Sequence, residues 1–371
     1  MNKIMTGLGL LMLGTAPALA GGIERAPHSL GPLFEEGNYV ELSFGGVDPK
    51  VSGRDEPVFG GRGTGDVAQG YGFSGISYKH QFTDKLSAAF IVEQPFGADL
   101  SYPFGESVAF GGTKVEVNST SYTALLRYKF DNNFSVHGGL RGSHADGDVT
   151  LSGAAYGGLS GYNVKLDGAW GMGWAAGVAW ERPDIAARVS LTYNAPIKYK
   201  FDTNETLSGA ALGPESTTTV HTPRSWTLEG QTGIAADTLL FGSIRWVNWS
   251  EFRVDPDVLV ALTGGGLVEL EDTTTYTLGV GRKFTENWSG SLSFMYEPKG
   301  DDLVSPLAPT NGRKGVTLAA IYTKDKIKIS TGISYVELGD AYAETGTPDV
   351  AGAKMSGNHA WGAGVRIGYS F

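Results

Sequence analysis

The sequence predicts an all-β protein: a 14-stranded antiparallel transmembrane β-barrel with a short luminal segment at its N-terminus. Three observations lead there. Strand-length stretches with a two-residue apolar period recur from residue 38 to the last residue. The links between them alternate between short turns and long loops. The composition sets 55 Gly beside 17 Phe, 16 Tyr and 8 Trp in 371 residues, which suits a strongly curved sheet edged by interfacial aromatics.

The closing strand, 361–371, states the period plainly. Ala363, Val365, Ile367 and Tyr369 alternate with Gly364, Arg366, Gly368 and Ser370, so one face is apolar and the other small or charged. A final strand with an oily face and two free edges is an aggregation hazard. Pairing it with the first strand closes the sheet and removes both edges.

Residues 1–20 read as a secretory signal. Lys3 gives a positive start, 4–13 is a short apolar run, and Ala18-Leu19-Ala20 is a cleavage pattern. The run is too short to span a bilayer as a helix, and no later stretch reaches the ~20 apolar residues a spanning helix needs. An exported chain without cysteine takes its stability from backbone pairing and packing. A formal charge of −10 argues against nucleic acid as a partner.

Residues 21–37 lack alternation, contain Pro27 and Pro32, and read as an irregular, hatch-like N-terminal segment; the barrel is expected over 38–371. Its strands are expected at 38–47, 70–80, 85–94, 114–130, 133–150, 162–180, 185–201, 218–233, 238–254, 273–284, 288–297, 314–323, 326–338 and 361–371. Links at 81–84, 131–132, 181–184, 234–237, 285–287 and 324–325 are short and rich in turn residues. Those at 48–69, 95–113, 151–161, 202–217, 255–272, 298–313 and 339–356 are long. Outer-membrane barrels combine an even strand count, short periplasmic turns and long external loops. Hydrocarbon supplies no hydrogen-bond partners, so a spanning sheet must close on itself. The competing architecture, a large soluble β-domain, accounts for neither the oily faces on successive strands nor the two classes of link.

Several stretches then resemble a known family. Phe34-Glu35-Glu36-Gly37-Asn38-Tyr39-Val40-Glu41-Leu42-Ser43-Phe44 runs into Val47-Asp48-Pro49-Lys50-Val51-Ser52-Gly53. Pro95-Phe96-Gly97 ends the third strand. Thr222-Pro223-Arg224-Ser225-Trp226-Thr227-Leu228-Glu229-Gly230 precedes Arg245-Trp246-Val247-Asn248-Trp249-Ser250-Glu251-Phe252, whose Asn-Trp-Ser-Glu-Phe is the most specific piece. In order and spacing these resemble the FadL/OmpP1/TodX outer-membrane transport proteins, from about Phe34 to Phe371. The resemblance implies a passive channel in a Gram-negative outer membrane for hydrophobic compounds, foremost long-chain fatty acids. It implies capture by external loops, a site inside the barrel, an N-terminal hatch, and sideways exit through a gap beside a kinked strand. The chain departs from the family in its short N-terminal segment, which lacks the usual Asn-Pro-Ala stretch.

Candidate site residues follow from cargo chemistry. A carboxylate head group calls for an inward arginine. Alternation puts Arg127, Arg141, Arg188, Arg245 and Arg366 on polar faces, and Arg141 and Arg188 are favoured as lying nearest the outer ends of their strands. The plainer alternative for any of them is a ladder of paired lumen charges. Leu151, Tyr156, Leu159 and Leu212 form apolar loop patches suited to capture, as do the apolar residues at 258–262; the alternative is that these loops pack on one another as a cap. Pro95, Phe96 and Gly97 read either as a break in the wall or as the start of a loop. The eight tryptophans are expected mostly at the membrane interfaces.

Nothing points to a cofactor, a metal or an enzyme. The six histidines are scattered, and no nucleophile motif stands out. His144 with Asp146 and Asp148 reads as solvated lumen charge. An outer-membrane lipase or protease and a general polar porin are the competing functions. The expected partners are the hydrophobic cargo and outer-membrane lipids, with the chain as a monomer.

Overall fold

A computed structural model describes residues 23–25, 30–346 and 349–371. The expected signal, 1–20, lies outside the described residues. Fourteen wall strands run antiparallel: β1 (Tyr39–Lys50), β2 (Tyr71–Gln81), β3 (Leu86–Glu93, continued by Gly97–Ser101), β4 (Lys114–Lys129), β5 (Phe134–Leu151), β6 (Tyr162–Arg182) and β7 (Ala187–Asn194, continued by Lys198–Leu207). The circuit continues with β8 (Ser216–His221, continued by Ser225–Ala235), β9 (Thr238–Val247), β10 (Thr273–Lys283), β11 (Trp288–Glu297), β12 (Arg313–Lys324), β13 (Ile327–Leu338) and β14 (Asn358–Ser370). β14 pairs with β1 from Tyr39↔Ser370 to Lys50↔His359, and that ladder closes the barrel. No described helix is long and apolar enough to cross a membrane.

The short turns form where the chain tolerates left-handed backbone. Asn133, Asp237 and Asp325 take positive φ in the turns after β4, β8 and β12, and Ala186 does so after the 3-10 turn Pro183–Ile185. The long loops are more ordered than a loop reading suggests. Gly53–Asp55, Leu303–Val304, Ala341–Thr345 and Val350–Met355 form a small four-stranded sheet. Asp257–Thr263 forms an α-helix, α1, its first amides held by Glu205 of β7 through Val258 N and Leu259 N at 2.9 and 2.8 Å. Inside these loops the Asp55 carboxylate accepts from Ser107 Oγ and Val108 N, both at 2.6 Å.

All fourteen strands show large apolar side chains to the outside. Leu42, Ile76, Phe90, Leu126, Leu140, Met172, Leu191, Leu228, Ile244, Leu278, Phe294, Leu318, Ile333 and Ile367 mark one per strand. A continuous exposed belt of this kind is the surface that lipid covers. Aromatic residues edge it: Tyr122, Trp170, Trp174 and Trp226 above, and Phe134, Trp288, Tyr369 and Phe371 below.

Above the upper aromatic edge, β4 to β8 continue and their two faces exchange character. On β4 the outward residues change from Tyr122, Ala124 and Leu126 to Lys114 and Glu116, while the inward ones change from the mixed set Thr123, Leu125 and Arg127 to Val115 and Val117. β5 to β8 follow suit, with Asp148, Lys165, Lys200 and Thr219 outward and Val149, Val164, Phe201 and Val220 inward. Outside the membrane water faces the outer wall, so the apolar side turns in.

Candidate functional site

The inversion divides the lumen into two regions. The upper interior belongs to a large apolar cluster with Val115, Val149, Tyr162, Val164, Tyr199 and Phe201 from the wall and Phe110, Trp249, Leu259 and Met355 from the loops. The lower interior is polar: Arg127 pairs with Glu181, Arg188 and Glu229 lie buried nearby, and Lys328 pairs with Glu35 at 2.8 Å.

Residues 30–38 enter the lower lumen. Leu30 and Leu33 pack on Ala89, Ile91, Leu125 and Ala175, and Phe34 lies between the guanidinium groups of Arg127 and Arg188, 4.5 and 4.3 Å from its centroid. Beneath them a polar cavity of about 420 Å³ opens downward, lined among others by Glu36, Lys79, Lys129, Glu181 and Arg366.

Arg141 sits at the boundary between the two regions and is 1% exposed. Its Nε donates to Thr123 Oγ1 at 3.0 Å and its Nη1 to Asn194 Oδ1 at 3.2 Å. Its Nη2 is buried with no hydrogen-bond partner, and no carboxylate lies within ion-pair distance among the described residues. A buried cationic donor left open is costly, and an anionic group placed there would satisfy it.

The wall is interrupted between β2 and β3. Their ladder runs from Gln81↔Ser87 up to Ile76↔Val92 and stops. Above it, Tyr71 to Gly75 of β2 keep only β1 as a ladder partner. The cause is local: Pro95 cannot donate to a ladder, and the pairing of β3 with β4 slips by one residue between Glu93↔Ser121 and Gly97↔Asn118. The displaced Phe96 is held by one hydroxyl, Ser119 Oγ, which donates to Phe96 O at 2.7 Å and accepts from Phe96 N at 3.2 Å.

Residues 23–25 lie in this seam. Arg25 N donates to Pro95 O at 2.7 Å, Gly97 N donates to Ile23 O at 2.8 Å, and Glu24 bridges Phe96. The Glu24 side chain crosses to β9, where it pairs with Arg245 at 2.5 Å. The Arg25 guanidinium lies 4.9 Å over the Tyr71 ring, in space that a Cβ on Gly97 would obstruct at 2.4 Å.

The structure sorts the expected site residues. Pro95, Phe96 and Gly97 form a break in the wall rather than the start of a loop, since β3 resumes at Gly97. Arg141 lies at the boundary without an ion-pair partner among the described residues, with Glu93, Arg245 and Glu24 as its charged neighbours. Arg188 does not join it: it is the second residue of β7, beside the periplasmic turn, so its expected place near the outer end is corrected. Leu151 is buried, and Tyr156, Leu159 and Leu212 pack against the apolar cluster, as interior and cap rather than an open capture surface. His144, Asp146 and Asp148 face outward from β5, not into the lumen, because the faces exchange above the membrane edge.

Sequence reasoning missed the matching interruptions of β7 at Pro196 and β8 at Pro223, although a proline inside an alternating run is their visible signal. It also missed what two of the motifs do together. Arg224 Nε donates to Asn248 Oδ1 at 3.0 Å, Arg224 pairs with Glu251, and Asn248 N donates to Arg224 O at 3.0 Å. Asn248 Nδ2 and Ser250 N both donate to Asp272, at 2.9 and 3.0 Å. Burial pushes the Asp272 carboxyl up, but these bonds outweigh it and hold it below its ordinary range. The clasp turns Trp249 inward, where it is 2% exposed and meets Phe96 edge to face at 6.4 Å.

Comparison with known proteins follows the same geometry. The family described as outer membrane protein transport protein (OMPP1/FadL/TodX) matches residues 36–371. A Pseudomonas aeruginosa FadL homologue superposes with a TM-score of 0.72 at 15% identity, covering 99% of this chain and 98% of that one. The Pseudomonas putida toluene transporter TodX gives 0.64 at 15%, with 95% and 97% covered. The Ralstonia pickettii toluene transporter TbuX gives 0.64 at 12%, with 96% and 98% covered. At these identities the superpositions speak for the fold. No curated protein matches the chain.

Proposed function

The chain belongs to the OMPP1/FadL/TodX family of outer-membrane channels for hydrophobic compounds, and from that premise we propose that its cargo is long-chain fatty acids, released sideways into the membrane. The observation that carries the cargo is Arg141: a buried cation with an open donor where an apolar chamber meets a polar one. A fatty acid matches that contrast, with its carboxylate on Arg141 and its chain in the apolar cluster. Bonds to charged groups contribute about 1.5–3 kcal/mol each, enough to rank acids above neutral hydrocarbons of similar size.

Sideways release is the cheaper route out. Straight descent would drag an apolar chain past Arg127, Arg188 and Glu229 and past residues 30–38. The seam between β2 and β3 leads to the lipid belt instead. In this reading residues 23–25 and 30–38 act as a short hatch: one end blocks the seam and the other the lower lumen. The chain closes its own barrel, so transport needs no second copy.

The test is uptake by cells lacking their own transporter of this class. The wild-type chain should restore uptake of labelled oleate, and Arg141→Met should reduce it roughly tenfold while toluene uptake changes little. Equal loss for both compounds would remove the carboxylate argument. Toluene uptake alone in the wild type would favour a monoaromatic cargo, the kind named for TodX and TbuX.

A further inference from the structure

We propose that Phe96 and Trp249 form the size-selective gate between the apolar chamber and the wall seam; this rests on the sideways route above. Phe96 belongs to both places. Its backbone lines the seam, bridged by Glu24 and tied to Ser119, while its ring lies 6% exposed in the apolar cluster against Trp249. Trp249 is backed by Phe252 at 6.0 Å and fixed by the clasp of Arg224, Asn248, Glu251 and Asp272. One ring is therefore rigidly mounted. The other sits on a residue displaced from the strand ladder, tied to Ser119 Oγ and bridged by Glu24, whose own segment fills the seam and must leave it for cargo to pass.

That asymmetry is what a gate requires. Cargo moving from the cluster to the seam must displace the Phe96 ring, because the Phe96 backbone is itself an edge of the seam. Trp249 sets how far the ring retreats, and so what cross-section passes: a linear acyl chain, not a fused aromatic body. The Asn-Trp-Ser-Glu-Phe motif thereby gains a task, which is to present Trp249. Asp272, which grips Asn248 and Ser250 without touching the chamber, is a positioning residue.

The experiment compares cellular uptake of oleate with that of a dodecanoate carrying a terminal pyrene. Phe96→Ala should raise the pyrene-to-oleate ratio roughly tenfold, about the discrimination that pocket contacts of this size support. Phe96→Leu and Trp249→Phe should give smaller shifts in the same direction, and they keep the test open if the alanine variant fails to assemble. Asp272→Asn should move the ratio too, which a purely structural loss would not, since that lowers both uptakes together. A parallel arm closes the seam. Ser74 N donates to Gln94 Oε1 across it at 3.3 Å, and the chain has no cysteine, so Ser74→Cys with Gln94→Cys supplies a unique pair for a short thiol bridge. Bridging should stop uptake of both probes. If it does and the ratio stays fixed in Phe96→Ala, Phe96→Leu and Trp249→Phe, the gate is refuted while the sideways route stands. If bridging leaves uptake intact, the route falls and the gate with it.

Discussion

The lower and upper parts of this barrel use the same two-residue period and opposite chemistry. Below the Tyr122–Trp170–Trp226 edge, β4 shows Leu126 outward and Arg127 inward; above it, β4 shows Glu116 outward and Val115 inward. Burying apolar surface is worth about 25 cal/mol per Å² whichever way the surface faces. What differs is what each side meets: lipid outside and buried charges with residues 30–38 inside below, water outside and packed loops inside above. Arg141 and the wall seam both lie where the two chemistries meet, the place where the proposed cargo is held and turned sideways.

The largest effect should come from violating the lower rule. Leu278→Arg, on the belt face of β10, should cost about 2–4 kcal/mol, while Thr219→Arg, outward on the upper part of β8, should cost almost nothing. Denaturant titration of both variants refolded into lipid vesicles checks the contrast; equal losses would mean the upper edge is misplaced.

Next comes the segment that touches both regions. Glu24→Gln removes the charge opposite the buried Arg245 guanidinium, and should loosen residues 23–25 by about 1–3 kcal/mol. Limited proteolysis near the N-terminus should then become faster while the barrel stays intact. An unchanged cleavage rate would mean the segment is held by its backbone bonds alone.

The smallest effect concerns the loops that cap the upper chamber. Burial, with Asp349 nearby, pushes the Glu344 carboxyl up to about 7. A carboxyl raised on folding binds its proton more tightly in the folded state, so its contribution is full at low pH and is lost as pH rises from its ordinary value towards 7. Relative to the intrinsic base-catalysed rate, amide protection in Ala341–Thr345 and Val350–Met355 should be higher at pH 5 than at pH 8, and Glu344→Gln should flatten that difference in protection. Equal protection at the two pH values in the wild type would place the carboxyl in water.

The fold was legible for a physical reason. Period-two alternation and turns such as Asp325 are local signals, and fourteen strands with their alternating links follow from them. Pro95 marked a break or a loop start equally well, and only the resumption of β3 at Gly97 separates the two. The chemistry of the upper wall was not legible, because alternation marks two faces without saying which solvent each meets. His144, Asp146 and Asp148 were therefore assigned to the wrong side of β5. Residues 23–25 and 30–38 have no period at all, so their contacts with Arg245 and Arg127 lay beyond local reading. α1 was hidden because a short apolar run at 257–263 suits a covered helix as well as a loop.

The ladder between β1 and β14 carries a last consequence for how the chain reaches this state. Its twelve registered pairs join residues from the two extremes of the described polypeptide. Contacts of such long sequence separation form late, because the loop entropy must be overcome before they contribute. Until Ser370 arrives, β1 and β13 both present bare edges to their surroundings. Biogenesis must therefore shelter an open sheet until β14 is in place, and removing β14 as a whole should leave a sheet that cannot seal.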